Sequence, residues 1–236
     1  MEENKTQNGN ALWFILIAIV LLGLLTSFLT RSGGSTNETG DYEQLTIQAN
    51  EILQYVSSIE NGVQSLLARG CSENELSFEA NNNSGYTNPN SPTDNSCHIF
   101  EPEGAGLTYE SFPKTTSYNF EFSMANNIVG IGTDISSWGA ANPWNTNREN
   151  ELIIYLQSPD EGVCNNMNKT FFGDSAIPVD PSNLIIPPET NRFNGTGANG
   201  NQLGNNSGWP ATGCFYGPVG SGYDDVIFFY HVLLAR

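Results

Sequence analysis

Residues 41–70 read DYEQLTIQANEILQYVSSIENGVQSLLARG, and their apolar side chains recur with the period of a helix. Asp41 and Gln44 have the spacing of a capping box, and Gly70 stands where a helix commonly ends. This pattern predicts one long amphipathic helix over residues 41–69. Its apolar face contains Leu45, Ile52, Val56, Ile59, Val63 and Leu66. That face packs either on a sheet of the same chain or on neighbouring subunits, and the sequence leaves both open.

Apolar runs typical of strands follow the helix. Tyr118, Phe120 and Phe122 alternate with polar residues, which indicates a half-buried antiparallel strand. The runs ELIIYLQ at 151–157 and DVIFFYHVLLA at 225–235 are continuous, which favours strands buried on both faces. The predicted strands are 106–112, 117–123, 127–132, 151–157 and 225–234. We therefore expect an α+β fold in which the long helix packs on an antiparallel sheet.

Four cysteines, Cys71, Cys97, Cys164 and Cys214, show no spacing typical of a zinc site. Four cysteines allow three disulfide pairings, and we favour Cys71 with Cys97 and Cys164 with Cys214, because each pair closes a loop within one region. Two disulfides predict that the domain resides in an oxidising compartment, outside the cytoplasm.

An uncharged apolar segment, ALWFILIAIVLLGLLTSFLT, occupies residues 11–30. Twenty helical residues span about 30 Å, the thickness of the hydrocarbon core of a bilayer. The segment therefore predicts a transmembrane helix over residues 10–31, with membrane lipid as its partner through 11–30. Residues 32–40, SGGSTNETG, have the composition of a flexible linker. A globular ectodomain is then expected over residues 41–236.

The charge of the chain limits its partners. With 25 acidic and 8 basic residues, the formal net charge is −17 at pH 7. Such a surface repels phosphate groups, so we expect no binding of nucleic acid.

The sequence offers little catalytic chemistry. The two histidines, His98 and His231, stand in no metal-binding motif, and we interpret both as structural. The acidic pairs Asp160-Glu161 and Asp224-Asp225 allow a calcium ligand as an alternative to a solvated turn. We therefore expect no enzyme activity, no cofactor and no metal site, although a membrane-tethered hydrolase that uses paired carboxylates stays open.

Five triplets match the acceptor pattern for N-linked glycosylation. They begin at Asn37, Asn82, Asn168, Asn194 and Asn205. In a chain rich in asparagine we interpret them only as markers of the surface.

The layout of an N-terminal apolar helix, a second helix with an apolar stripe, a sheet and a disulfide-closed C-terminal region resembles type IV pilins and type II secretion pseudopilins. In that family a prepilin peptidase cuts after a glycine just before the apolar run, and Gly9 followed by Asn10 resembles this site. The resemblance implies a cleaved leader over residues 1–9. It also implies that the apolar helix first lies in the inner membrane and later in the core of a filament.

The resemblance predicts a structural, pilin-like or pseudopilin-like subunit of a bacterial envelope filament or secretion apparatus. Its partners would be further copies of the chain or other pilin-like subunits, and its domain would be periplasmic or extracellular. The alternative is a binding module, namely a single-pass membrane-anchored protein whose loops at 81–96 and 190–210 recognise a ligand or surface.

Overall fold

The computed structural model describes ten parts of the chain. These are residues 10–33, 36–81, 83, 85–112, 116–128, 131–132, 150–180, 192–195, 201–203 and 209–236. The chain divides into two compact units, residues 1–44 and residues 45–236.

Two long helices open the chain: α1 at Asn10–Gly33 and α2 at Thr36–Ala68. Helix α2 starts five residues before the predicted cap at Asp41, so residues 36–40 of the predicted flexible linker are helical. A helix propagates at little cost once a long stable segment exists, which explains why weak helix formers are included in its first turns. The predicted C-terminal end agrees with the structure to within one residue.

The predicted transmembrane helix needs correction. Among the described residues, no helix is long and apolar enough to cross a bilayer. Residues 10–31 form part of α1, so the predicted helix is present but is not supported as a membrane span.

The second unit is built on a five-stranded sheet with the order β3-β1-β2-β5-β4. Strands β1, β2, β5 and β4 pair antiparallel, and β3 pairs parallel with β1. The strands are β1 Phe120–Ile128, β2 Glu151–Gln157, β3 Asn201–Leu203, β4 Thr212–Tyr216 and β5 Ile227–Leu234. The prediction of β2 is confirmed residue by residue, and those of β1 and β5 are confirmed in part. The predicted strand at 106–112 is wrong, because its backbone forms no ladder there.

Both faces of the sheet are buried, which explains the continuous apolar runs in β2 and β5. One face carries α2, whose residues Ile52, Ile59 and Val63 are completely buried among the side chains of β1 and β2. The other face carries a smaller aromatic cluster that includes Trp209 and Tyr230. The sequence left two partners open for the apolar face of α2. The structure shows that this face packs on the sheet of the same chain.

A third helix, α3 at Glu161–Phe171, packs beside the edge strand β4 and was not predicted. The Asp160 carboxylate accepts hydrogen bonds from the backbone N–H groups of Gly162 and Val163, at 2.8 and 3.4 Å, and so caps the helix. Val163 and Met167 face the core. The helix is therefore fixed at both its start and its inner face.

Two disulfides join Cys71 to Cys97 and Cys164 to Cys214, in agreement with the favoured pairing. The first closes a loop that begins at the end of α2. The second connects α3 to β4 and lies completely buried in the core. The first disulfide thus closes a loop, and the second joins two regular elements.

Candidate functional site

The side chains of α1 form a continuous apolar surface, here called the α1 surface and defined by its large apolar residues from Trp13 to Leu25. Their exposed fractions lie between 39% and 65%. They are Trp13, Phe14, Ile15, Leu16, Ile17, Ile19, Val20, Leu21, Leu22, Leu24 and Leu25. Single exposed apolar residues are ordinary on proteins, but a contiguous set of this size indicates a surface that another molecule covers.

The α1 surface surrounds the helix. Successive helical residues are about 100° apart, so the consecutive residues Trp13 to Ile17 already point in all directions. A helix that is apolar all round is stable only when it is buried on every side. One flat partner would therefore cover only about half of this surface.

The polar residue Thr26 is compatible with an apolar environment. Its hydroxyl donates to the backbone carbonyls of Leu22 and Gly23, both at 3.0 Å. A hydroxyl that bonds within its own helix adds little cost on transfer out of water. The described part of α1 can therefore be buried as a whole.

On the edge strand β4, a side chain forms hydrogen bonds with the backbone. The Asn168 amide nitrogen donates to the Cys214 carbonyl at 2.9 Å, and its amide oxygen accepts from the Cys214 N–H at 2.7 Å. Further along β4, the Tyr216 N–H donates to the Pro178 carbonyl at 2.8 Å. The Tyr216 carbonyl accepts from the backbone N–H of Asp180 at 2.9 Å. An exposed edge offers unpaired backbone groups to a further strand. These bonds occupy the β4 edge, so it is not available for strand addition.

Asn168 corrects the interpretation of the glycosylation triplets. Its side chain is completely buried, and its amide nitrogen also donates to the Ala176 carbonyl at 3.1 Å. The acceptor pattern at Asn168 therefore does not mark the surface. Asn194 is exposed, in agreement with the surface interpretation, whereas the side chains of Asn37, Asn82 and Asn205 lie outside the described residues.

Replacement of Asn168 by alanine is expected to destabilise the domain by about 2 to 3 kcal/mol, because the buried N–H and carbonyl of Cys214 both lose their partner. Urea unfolding followed by tryptophan fluorescence measures the change. The matched control is Asn165→Ala on the same helix, where the side chain is only half-buried. Equal losses in the two variants would contradict a special role for the Asn168 amide.

A second arrangement, here called the relay, connects Thr212, His231 and Glu60. The Thr212 hydroxyl oxygen lies 2.6 Å from His231 Nδ1, and His231 Nε2 lies 3.1 Å from a Glu60 carboxylate oxygen. Thr212 and His231 are directly opposite each other on β4 and β5, and Glu60 belongs to α2. The relay therefore joins three elements of the domain.

The relay has the order of a hydroxyl, a base and a carboxylate, which is also the order in nucleophilic catalysis. The Thr212 side chain, however, belongs to a residue that is only 6% exposed. A nucleophile must reach a substrate atom, and this hydroxyl is covered by its own domain. We therefore interpret the relay as a structural link, as predicted for His231.

The other predicted site residues have local roles. Gly9 lies outside the described residues, and Asn10 is the first residue of α1, so the structure does not test cleavage between them. His98 is half-buried, and its backbone carbonyl accepts from the Ala105 N–H at 2.9 Å, within the loop after Cys97.

The acidic pairs also have local partners. Asp160 caps α3, and the Asp224 carboxylate accepts from the Gly220 N–H at 2.5 Å in the turn before β5. Within the described parts of the chain, no three residues of the types His, Cys, Asp and Glu are grouped to hold a metal ion. The calcium alternative for these pairs therefore gains no support.

No protein-family model, no curated protein and no solved structure matches this chain. The resemblance to pilins and pseudopilins therefore stays a prediction, and the function has to be argued from the surface of α1 and the construction of the domain.

Proposed function

We propose that this chain is a structural subunit that assembles with copies of itself through α1, in the manner of pilin-like or pseudopilin-like proteins. The observation that carries this proposal is the α1 surface, which is apolar around the whole helix. Copies of α1 packed side by side would bury this surface in the core of a filament or bundle.

The area of the α1 surface fits such an assembly. At roughly 100 Å² of exposed apolar area per side chain, it amounts to about 1,000 Å² per subunit, whereas a standard interface buries about 800 Å² per partner. The largest apolar patch of a typical monomer is only about 300 to 600 Å². The α1 surface therefore has the size of a specific protein–protein contact.

The closed β4 edge supports the choice of α1 as the contact. Proteins also polymerise by addition of strands at a sheet edge, but Asn168 and residues 178–180 occupy the edge of this sheet at β4. Both faces of the sheet are already buried within the domain. Among the described residues, the globular unit thus exposes fewer large apolar side chains to a partner than α1 does.

The two disulfides support an extracytoplasmic location for the domain. Such bonds persist in oxidising compartments and are rare in the cytosol. The proposed subunit would therefore assemble in the periplasm or at the cell surface, with its acidic domains outside and its α1 helices inside.

The decisive experiment removes detergent from the purified full chain and examines the product by electron microscopy. We expect regular filaments or bundles of one repeating subunit. The variant Leu21→Asp is expected to abolish them, because a carboxylate would have to be buried among apolar helices at a cost of several kcal/mol. The matched control Asn50→Asp adds the same charge at an exposed position of α2 and should assemble like the wild type.

Circular dichroism of Leu21→Asp should match that of the wild type in detergent, since Leu21 is exposed and contributes little to the fold of the domain. Wild-type protein that stays monomeric, or that forms only amorphous aggregates, would contradict the proposal. A folded monomer that forms no filaments would instead support the alternative of a binding module.

A further inference from the structure

The two disulfides differ in how accessible their cysteines are. Cys164 and Cys214 are completely buried in the core. Cys97 is also buried, with 3% of its surface exposed, whereas its partner Cys71 is half-buried. A disulfide exchanges when a thiolate reaches one of its two sulfur atoms, so the rate depends on access to that atom. Of the four cysteines, Cys71 is therefore the one that a thiolate can approach in the folded domain.

Cys71 lines a cavity of about 500 Å³ just after the C-terminal end of α2. Cys97 is not among the described residues that line this cavity, so the cavity gives access to the Cys71 side of the bond. Glu73 and Arg236 also line it, and Arg236 Nε lies 2.7 Å from Glu73 Oε2. The guanidinium group offsets the Glu73 carboxylate, which reduces the repulsion of an anionic thiolate near Cys71.

We propose that the Cys71–Cys97 disulfide is a reversible exchange site, which a protein dithiol enters through Cys71. One thiolate of the partner attacks Cys71 Sγ and forms a mixed disulfide, while the Cys71–Cys97 bond breaks and Cys97 leaves as a thiolate that takes up a proton. The second thiolate of the partner then attacks its own sulfur in the mixed disulfide and releases Cys71. The partner ends as a disulfide, and the chain gains two electrons and two thiols.

The loop between Cys71 and Cys97 has contacts that hold it in place without the disulfide. The Ser77 N–H donates to the Cys97 carbonyl at 3.0 Å, and the Ile99 N–H donates to the Ser77 carbonyl at 2.9 Å. The Phe78 ring stacks on Phe122, with centroids 4.1 Å apart. These contacts keep the two thiols near each other after reduction, so the bond can form again. This inference does not depend on assembly through α1.

The test follows the reduction of the full chain by dithiothreitol in a non-ionic detergent. Samples are quenched with iodoacetamide at increasing times, and peptide mass spectrometry gives the initial rate at which each cysteine becomes alkylated. We expect Cys71 and Cys97 to be alkylated at least about tenfold faster than Cys164 and Cys214, because the core pair reacts only after a local opening of the domain. The matched control is the chain in concentrated guanidinium chloride, where both pairs should be reduced at similar rates.

Equal initial rates in the folded chain, or faster reduction of the core pair, would overturn the proposal. The same selectivity in the denatured chain would also overturn it, because burial would then not be the cause.

A second measurement identifies the sulfur atom that is attacked. Brief exposure of the wild type to reduced glutathione, followed by acid quenching, traps the mixed disulfide before it rearranges. We expect the glutathione adduct on Cys71. An adduct mainly on Cys97, an equal division between the two, or no adduct would overturn entry through Cys71. This measurement uses the wild type, so its outcome does not depend on the folding of a variant.

Discussion

Replacement of Phe122 by alanine is expected to lower the free energy of unfolding by about 3 to 5 kcal/mol, the range for removal of a buried phenylalanine. Phe122 is completely buried on β1. Its ring stacks on Phe78, with centroids 4.1 Å apart, and meets Tyr86 edge-on at 5.6 Å. Both partners belong to the loop between Cys71 and Cys97, so the variant should detach that loop from the sheet.

Urea unfolding of the full chain in a non-ionic detergent measures this effect. The control is Tyr118→Ala, which removes an aromatic ring two residues before β1 where the side chain is 45% exposed. We expect that control to change stability by no more than about 0.5 kcal/mol. Similar losses in the two variants would show that the packing around Phe122 does not hold the loop.

The second large effect is expected from the buried disulfide. The double variant Cys164→Ala/Cys214→Ala should lose about 4 kcal/mol, because the unfolded chain regains the freedom of a loop whose ends are 50 residues apart in sequence. Thermal unfolding and urea unfolding should both report the loss. Residues 178–180 should also lose protection from hydrogen exchange, since they bond to the strand that Cys214 anchors.

The comparison variant is Cys71→Ala/Cys97→Ala, whose loop spans 26 residues. The same entropic argument gives about 3.5 kcal/mol for this pair. We therefore expect the Cys164–Cys214 variant to be the less stable of the two, since its sulfur atoms also leave a cavity in the core. The reverse order, or a loss below about 1 kcal/mol in either variant, would contradict the argument.

Those parts of the fold that depend on a repeating pattern were predictable from the sequence. The spacing from Leu45 to Leu66 predicted α2, and the apolar run at 151–157 predicted β2 with its exact bounds. Burial on one face of a helix or strand produces a regular spacing of apolar residues in the sequence, because the side chains on that face recur once per turn or per pleat. The cysteine pairing was also predictable, because each disulfide joins two cysteines that are consecutive in the sequence and closes a loop within one region.

Other parts depend on single residues, and there the sequence was not sufficient. Helix α3 is short, although Asp160 as a cap and the spacing of Val163 and Met167 were signals that could have found it. Strand β4 contains glycine and only five residues, so no period is visible. The burial of isolated residues such as Phe193 and Trp209 depends on contacts with distant strands.

The candidate site was likewise predictable from the sequence only in part. The apolar character of α1 was evident from residues 11–30, but the sequence favoured a bilayer as its environment. The relay was not predicted, since Glu60 and His231 are 171 residues apart in sequence and meet only when α2 lies on the sheet. No local signal connects the members of such a set.

The burial of Asn168 bears on how this protein should be produced. A eukaryotic secretory pathway attaches glycans to matching triplets while the chain is still unfolded, before the sheet forms. A sugar on Asn168 would block the bonds of its amide to Cys214 and leave the buried backbone groups of Cys214 without those partners. Expression in a host without this modification, such as a bacterial periplasm that also forms disulfides, is therefore the suitable choice for obtaining the native fold.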